Sequence, residues 1–173
     1  NGKSHSFHGR SVFYKKEDLR INMNNYLWIL IAFFLVVTTI ANIDLGTTLN
    51  GIMPILSVLV LFIASFWHGT TFYGPKNTLI FFLGTWGISH FFEALSIQTG
   101  FPFGHYYYDK LEGPRLFEVP LIIMLAYFSM AYVSWILAHV LLRHFHQKLS
   151  GEKVFFIPII ATFIMVIWDL CMD

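Results

Sequence analysis

An all-α bundle of membrane-crossing helices is the fold this sequence predicts. Three observations predict it: five long apolar stretches separated by short polar ones, charged residues held to 12%, and a mean hydropathy of +0.62. A soluble domain averages about 25% charged residues. With 56% hydrophobic and 18% aromatic residues, 173 residues carry more apolar surface than a soluble core of that size hides. The net charge of +1, with basic residues at segment ends and not along one stripe, gives no sign of a nucleic-acid partner. The single cysteine, Cys171, excludes an intramolecular disulfide.

Residues 1–24 form a polar, basic tail with Lys3, Arg10, Lys15, Lys16 and Arg20 and no periodic apolar face, read as cytoplasmic and loosely ordered. The long apolar run that follows lacks the small-residue cleavage pattern of a signal peptide. Residues 25–173 then read as one helical transmembrane domain. Its first span is Asn25–Ile43. The second and third, Ile52–Trp67 and Thr78–Phe92, fall short of the roughly 20 residues a perpendicular helix needs, which predicts local thinning or extension into Phe72 and Tyr73. Val119–Leu142 and Val154–Met172 complete the five, with Pro120 and Pro158 near the first turns, where proline is tolerated.

Orientation follows from lysine and arginine, which cytoplasmic segments retain. With the N-terminus inside, the inner segments hold the five tail residues, Lys76, Arg143, Lys148 and Lys153, and the outer loops hold only Lys110 and Arg115. The chain then reads as a multi-pass protein of the cell membrane. The C-terminal ends of spans three and five fall on the same, outer side, so His90, Glu93, Asp169 and Asp173 can share a cavity. The chain stops at Trp168-Asp169-Leu170-Cys171-Met172-Asp173 with no closing loop, which reads as a fragment of a longer protein, incomplete at its C-terminus.

The candidate chemistry begins with Glu93 and Asp169, carboxylates at the ends of stretches apolar enough to cross a membrane. An acid there is costly and marks a functional cavity. In Trp86-Gly87-Ile88-Ser89-His90-Phe91-Phe92-Glu93, spacings of four, three and seven put Trp86, His90 and Glu93 on one helical face. The plainer reading is a histidine satisfied in the core and a carboxylate at the headgroups. The loop that follows, Thr99-Gly100-Phe101-Pro102-Phe103-Gly104-His105-Tyr106-Tyr107-Tyr108, is too aromatic for a solvated linker and too rich in glycine and proline for a helix. Irregular backbone at membrane depth needs a protein or watery cover, so this segment reads as a lid over spans three and five. Its glycines suggest turns that aim Phe101 to Phe103 inward. An aromatic belt at the headgroups would account for the tyrosines alone.

Asp169 and Asp173, four apart on one face, suit a metal, a shared proton, or a plain interfacial helix end. His68, His139, His144 and His146 lie near the inner ends, the last two in a basic cluster with Arg143. The lone His-Phe-His at 144 to 146 does not supply the several spaced histidine pairs that a membrane di-iron desaturase wants.

His68-Gly69, Tyr73-Gly74, Glu93-Ala-Leu-Ser-Ile-Gln-Thr-Gly100, Phe103-Gly104-His105-Tyr106-Tyr107-Tyr108, Val119-Pro120 and Trp168-Asp169-Leu170-Cys171-Met172-Asp173 stand in an order that resembles the membrane carotenoid biosynthesis family, which includes the carotenoid 1,2-hydratases and bacterioruberin-pathway hydratases. The resemblance runs from about residue 52 to the end and is most specific from Glu93 to Tyr108. It implies addition of water to the terminal C=C of an acyclic carotenoid, giving a tertiary alcohol. Such chemistry needs a carboxylic acid held protonated, an aromatic wall that tolerates a tertiary cation, and one placed water. Glu93, Asp169 and His90 are the catalytic candidates, with one carboxyl as acid and the other handling the water. Trp86, Phe101, Phe103, Tyr106, Tyr108 and Asp173 are the substrate-binding ones. No cofactor or metal is required. The expected partners are the lipophilic substrate, the lipid bilayer and other carotenoid-pathway enzymes. A carotenoid cyclase or isomerase, a small transporter and a non-catalytic membrane subunit remain as alternatives.

Overall fold

The computed structural model describes residues 47–108, 113–142 and 150–172, with isolated positions 32, 36 and 39. The N-terminal tail, the first expected span Asn25–Ile43 and Asp173 lie outside this set, apart from those three positions. The described residues form four helices, α1 (Thr47–Phe72), α2 (Pro75–Thr99), α3 (Leu121–Leu141) and α4 (Lys153–Met172). A two-stranded antiparallel hairpin, β1 (Arg115–Leu116) and β2 (Val119–Pro120), sits between α2 and α3.

Of the five expected spans, three helical segments here are long and apolar enough to cross a membrane, Ile52–Phe72, Pro75–Thr99 and Leu121–Leu141. The apolar stretch of α4, Lys153–Trp168, is shorter. The helix α1 runs past Trp67 and ends at Phe72, within the expected extension into Phe72 and Tyr73, and α2 outruns Thr78–Phe92 at both ends. The hydroxyls of Thr70 and Thr71 donate to the Trp67 carbonyl at 2.8 and 3.0 Å, and His68 meets the Tyr132 hydroxyl of α3 at 2.5 Å. A helix stops where its polar groups can no longer find such partners.

The turn from α1 to α2 is made by Gly74, whose φ of 85° favours glycine, followed by Pro75 at the first helical position. The other end of α2 closes on Gly100, left-handed at φ 76°, whose N–H donates to the Ser96 carbonyl at 2.8 Å. Pro120 precedes α3 in an extended conformation, so the span expected from Val119 starts two residues later. Pro158 lies inside α4, beyond its first turn.

The helix α3 packs against each of the other three. Its fully buried Phe128 is ringed by Phe62, Phe66 and Phe82 at centroid distances of 5.7, 6.0 and 5.2 Å, tilted or edge-on as aromatic quadrupoles prefer. Farther along, Ala138 packs with Ile157 and Ala161 of α4. The radial pattern is that of a bundle in lipid. Ser65, Thr78, His90, Glu93, Ser96, Ser129 and Ser134 are buried, whereas Leu83, Ile88, Phe155 and Phe163 are exposed. Small and polar residues mediate helix contact in a membrane, where outward-facing apolar side chains meet tails as apolar as themselves.

Gly69 shows how close that contact is. A Cβ built there would stand 2.9 Å from Thr78 Cγ2 and 3.3 Å from the Tyr132 ring. Thr78 is stiff at χ1, so neither neighbour moves freely. Gly69→Ala is therefore expected to lower thermal stability in detergent by about 1–3 kcal/mol, the usual range for overpacking. An unchanged or raised melting temperature would show that α1 and α2 can separate without loss.

Candidate active site

Glu93 occupies the sixth turn of α2, on the flank that faces α3 and α4. Its side chain is only 2% exposed. A carboxyl so far from water is retained when its oxygens are hydrogen bonded, and here three tyrosine hydroxyls converge on it. Tyr106 and Tyr108 donate to Oε2, the latter at 2.8 Å, and Tyr127 of α3 donates to Oε1.

Two of those donors come from the loop after α2, and the glycine turn explains how they get there. Gly100 reverses the chain so closely that a Cβ on it would lie 2.6 Å from the His105 imidazole. The Phe103 N–H then donates to Ser96 Oγ at 3.2 Å, and the Gly104 N–H to the Gly100 carbonyl at 2.9 Å. The loop thereby folds back over the end of α2, and Arg115 Nη2 holds the Tyr108 carbonyl at 2.7 Å from the hairpin. Burial pushes the Tyr108 phenol well above its ordinary range, and the charge of Glu93 beside it pushes further the same way. Tyr108 therefore keeps its proton, and remains a donor, well beyond the pH at which a free tyrosine ionises.

One face of this cluster opens on a cavity of about 240 Å³, walled by Ile88, Phe92 and Phe103 and, from α4, by Thr162, Met165 and Val166. The C-terminal halves of α2 and α4 thus meet the N-terminal half of α3 around the Glu93 carboxyl. Asp169 is on α4 one turn beyond Met165, and its side chain lies outside the described residues.

The other expected site residues are distributed unevenly. The turns aim Tyr106 and Tyr108 inward, not the phenylalanines as expected: Phe101 is 67% and Phe103 58% exposed, although Phe103 also lines the cavity. The aromatic residues alternate in direction, and Tyr107 between the two inward tyrosines is 72% exposed. Trp86 and His90 are not joined to Glu93. Three residues on a helix leave His90 about 60° from Glu93, whereas Trp86 is only about 20° off but lies about 10 Å away along the axis, and both line a separate cavity against Phe117 of the hairpin. Tyr127 is a residue that sequence reasoning passed over. Its signal was a phenol in the middle of an apolar helix, which in a membrane needs a polar partner.

Fold and site together define a helical membrane protein with one buried carboxyl caged by phenols beside an apolar cavity. Residues 49–173 match the family described as carotenoid biosynthesis protein, and the chain belongs to that family. Searches of curated proteins and of solved structures find no match.

Proposed function

We propose that the protein adds water across the terminal C=C of an acyclic carotenoid, with Glu93 as the acid. The observation that carries this reading is the tyrosine cage: three donors on one carboxyl, bordering an apolar cavity. Protonated Glu93 gives its proton to the less substituted alkene carbon, leaving a tertiary cation on the substrate and a carboxylate on the enzyme. The three phenols are already aimed at the oxygens on which that charge appears, so the charge is stabilised as it develops, without reorganisation. Water adds to the cationic carbon and the oxonium loses a proton, which restores the acid. Asp169 is assigned to the water. Phe92 and Phe103 line the cavity, and aromatic rings there would stabilise the cation.

A cavity of 240 Å³ suits one end group and a water of about 30 Å³, with the remaining polyene lying between helices and lipid. Expression of the full-length protein in a membrane that accumulates an acyclic carotenoid tests the reading. The expected product is the substrate plus one water. A product isomeric with the substrate would assign the same protonation to a cyclase or isomerase, and unchanged pigment at normal protein levels would remove catalysis altogether.

The split of basic residues supports a cytoplasmic N-terminus, with the loop after α2 on the outer side. In a background with Cys171 replaced by serine, a Tyr107→Cys variant, at an exposed loop position, is expected to react with an impermeant maleimide from outside intact cells. Reaction only after permeabilisation would turn the protein over and put the Glu93 cavity at the inner face.

A further inference from the structure

The cavity on the other flank of α2 is about 490 Å³, twice the size of the one at Glu93, and shares no lining residue with it. Trp86, Gly87, Phe91, Leu95 and Phe117 make it largely apolar; Gln98 is an exposed polar residue of the lining, and His90 is the buried one. His90 is 9% exposed, and no hydrogen-bond partner for either ring nitrogen exists among the described residues. Its nearest ring neighbour, Phe117, is 6.1 Å away and offers nothing to bond. Buried polar atoms are rarely left so, because an unmade hydrogen bond in an apolar setting is costly.

A neutral imidazole presents one donor and one acceptor. Both nitrogens are closed off in this ring orientation, so a ligand reaches them when the ring turns toward the cavity; a hydroxyl can then pair with either nitrogen, a carbonyl or ether oxygen with only the protonated one, and a hydrocarbon with neither. A largely apolar cavity with a single buried group of this kind therefore selects an apolar chain that ends in an alcohol. We propose that this cavity is a second ligand site, which holds the hydroxyl-bearing end of an acyclic isoprenoid, with His90 as its anchor. The choice of a hydroxylated chain rests on the hydration reading, whose product is an alcohol of this kind. The location rests only on the geometry around His90.

Binding, not turnover, tests it. Full-length protein in lipid nanodiscs is titrated with geranylgeraniol and with the hydrocarbon of matching chain length, for wild type and variants in the same lipid. Wild type is expected to prefer the alcohol over the hydrocarbon by about fivefold to tenfold more than His90→Phe does, the yield of one hydrogen bond. His90→Phe keeps an aromatic ring and removes both nitrogens, so hydrocarbon binding should persist. Gly87→Leu is the second variant: a Cβ there meets nothing within 4 Å, so a leucine can grow into the cavity, and it should weaken both ligands. Glu93→Gln should keep the preference for the alcohol, which separates this site from failure or success of the hydration reading. Equal preference in wild type and His90→Phe, loss of preference in Glu93→Gln, or unaltered alcohol affinity in Gly87→Leu would each overturn the assignment.

Discussion

Glu93→Gln is expected to lower hydration by about 10²-fold to 10⁴-fold, the usual loss when a general acid is removed. Glutamine keeps the shape and one acceptor oxygen but has no acidic proton. The fold has the means to accept it, since the amide N–H₂ needs an acceptor where the carboxylate had a donor, and a phenol hydroxyl can turn to serve as either. The measurement is the ratio of hydroxylated to starting carotenoid in membranes that hold matched amounts of full-length wild type and variant. Asp169→Asn is expected to fall similarly if that residue handles the water, and Asp173→Asn to matter less. Product at near-normal levels from Glu93→Gln would pass the role of acid to Asp169.

The sequence displayed the carboxyl clearly and its surroundings poorly, for reasons that differ residue by residue. Glu93 stood out because a charge in an apolar stretch has a known cost, and that cost does not depend on tertiary contacts. The loop after α2 stood out as too aromatic for water and too rich in glycine for a helix, and the structure folds it back over that same carboxyl. Which rings point inward was not legible. Gly100 sets the reversal, but the direction of each later side chain depends on where Ser96 and Arg115 hold the backbone. Tyr127 comes from a helix 34 positions away, and no local pattern joins it to Glu93. The grouping of Trp86, His90 and Glu93 failed for a simpler reason. Spacings of three, four and seven keep side chains within a sector about 60° wide but spread them over about 10 Å of axis, so His90 is parted from Glu93 by angle and Trp86 by height, and the two line a different cavity. The extension of α1 to Phe72 was legible, and its His68, Thr70 and Thr71 make their hydrogen bonds within the fold; α2 runs past Phe92 to Thr99, where Gly100 closes it.

The tyrosine cage carries the second large effect, and its asymmetry makes the expectation specific. Two phenols, Tyr106 and Tyr108, serve Oε2, whereas Tyr127 is the one donor on Oε1 among the described residues. If the cage stabilises the charge left when Glu93 gives up its proton, loss of the sole donor to an oxygen costs more than loss of one of a pair. Tyr127→Phe is expected to lower kcat by about 10²-fold to 10³-fold, as removal of one preorganised donor does elsewhere. Tyr108→Phe is expected to fall by less, and the Tyr106→Phe, Tyr108→Phe double variant to fall at least as far as Tyr127→Phe. Phenylalanine keeps each ring in place, so packing alone predicts small and similar losses from all three single changes. Binding should change little for Tyr106 and Tyr108, which do not line the 240 Å³ cavity, whereas Tyr127 does and keeps its ring there as phenylalanine. The loss should therefore appear in kcat and leave KM near its wild-type value, most clearly for Tyr108. Since the raised Tyr108 phenol remains protonated, the Tyr108→Phe effect should persist between neutral and moderately alkaline pH. A Tyr108→Phe loss equal to that of Tyr127→Phe, or a loss confined to KM, would mean that the phenols position substrate, and that the charge on Glu93 is met in some other way.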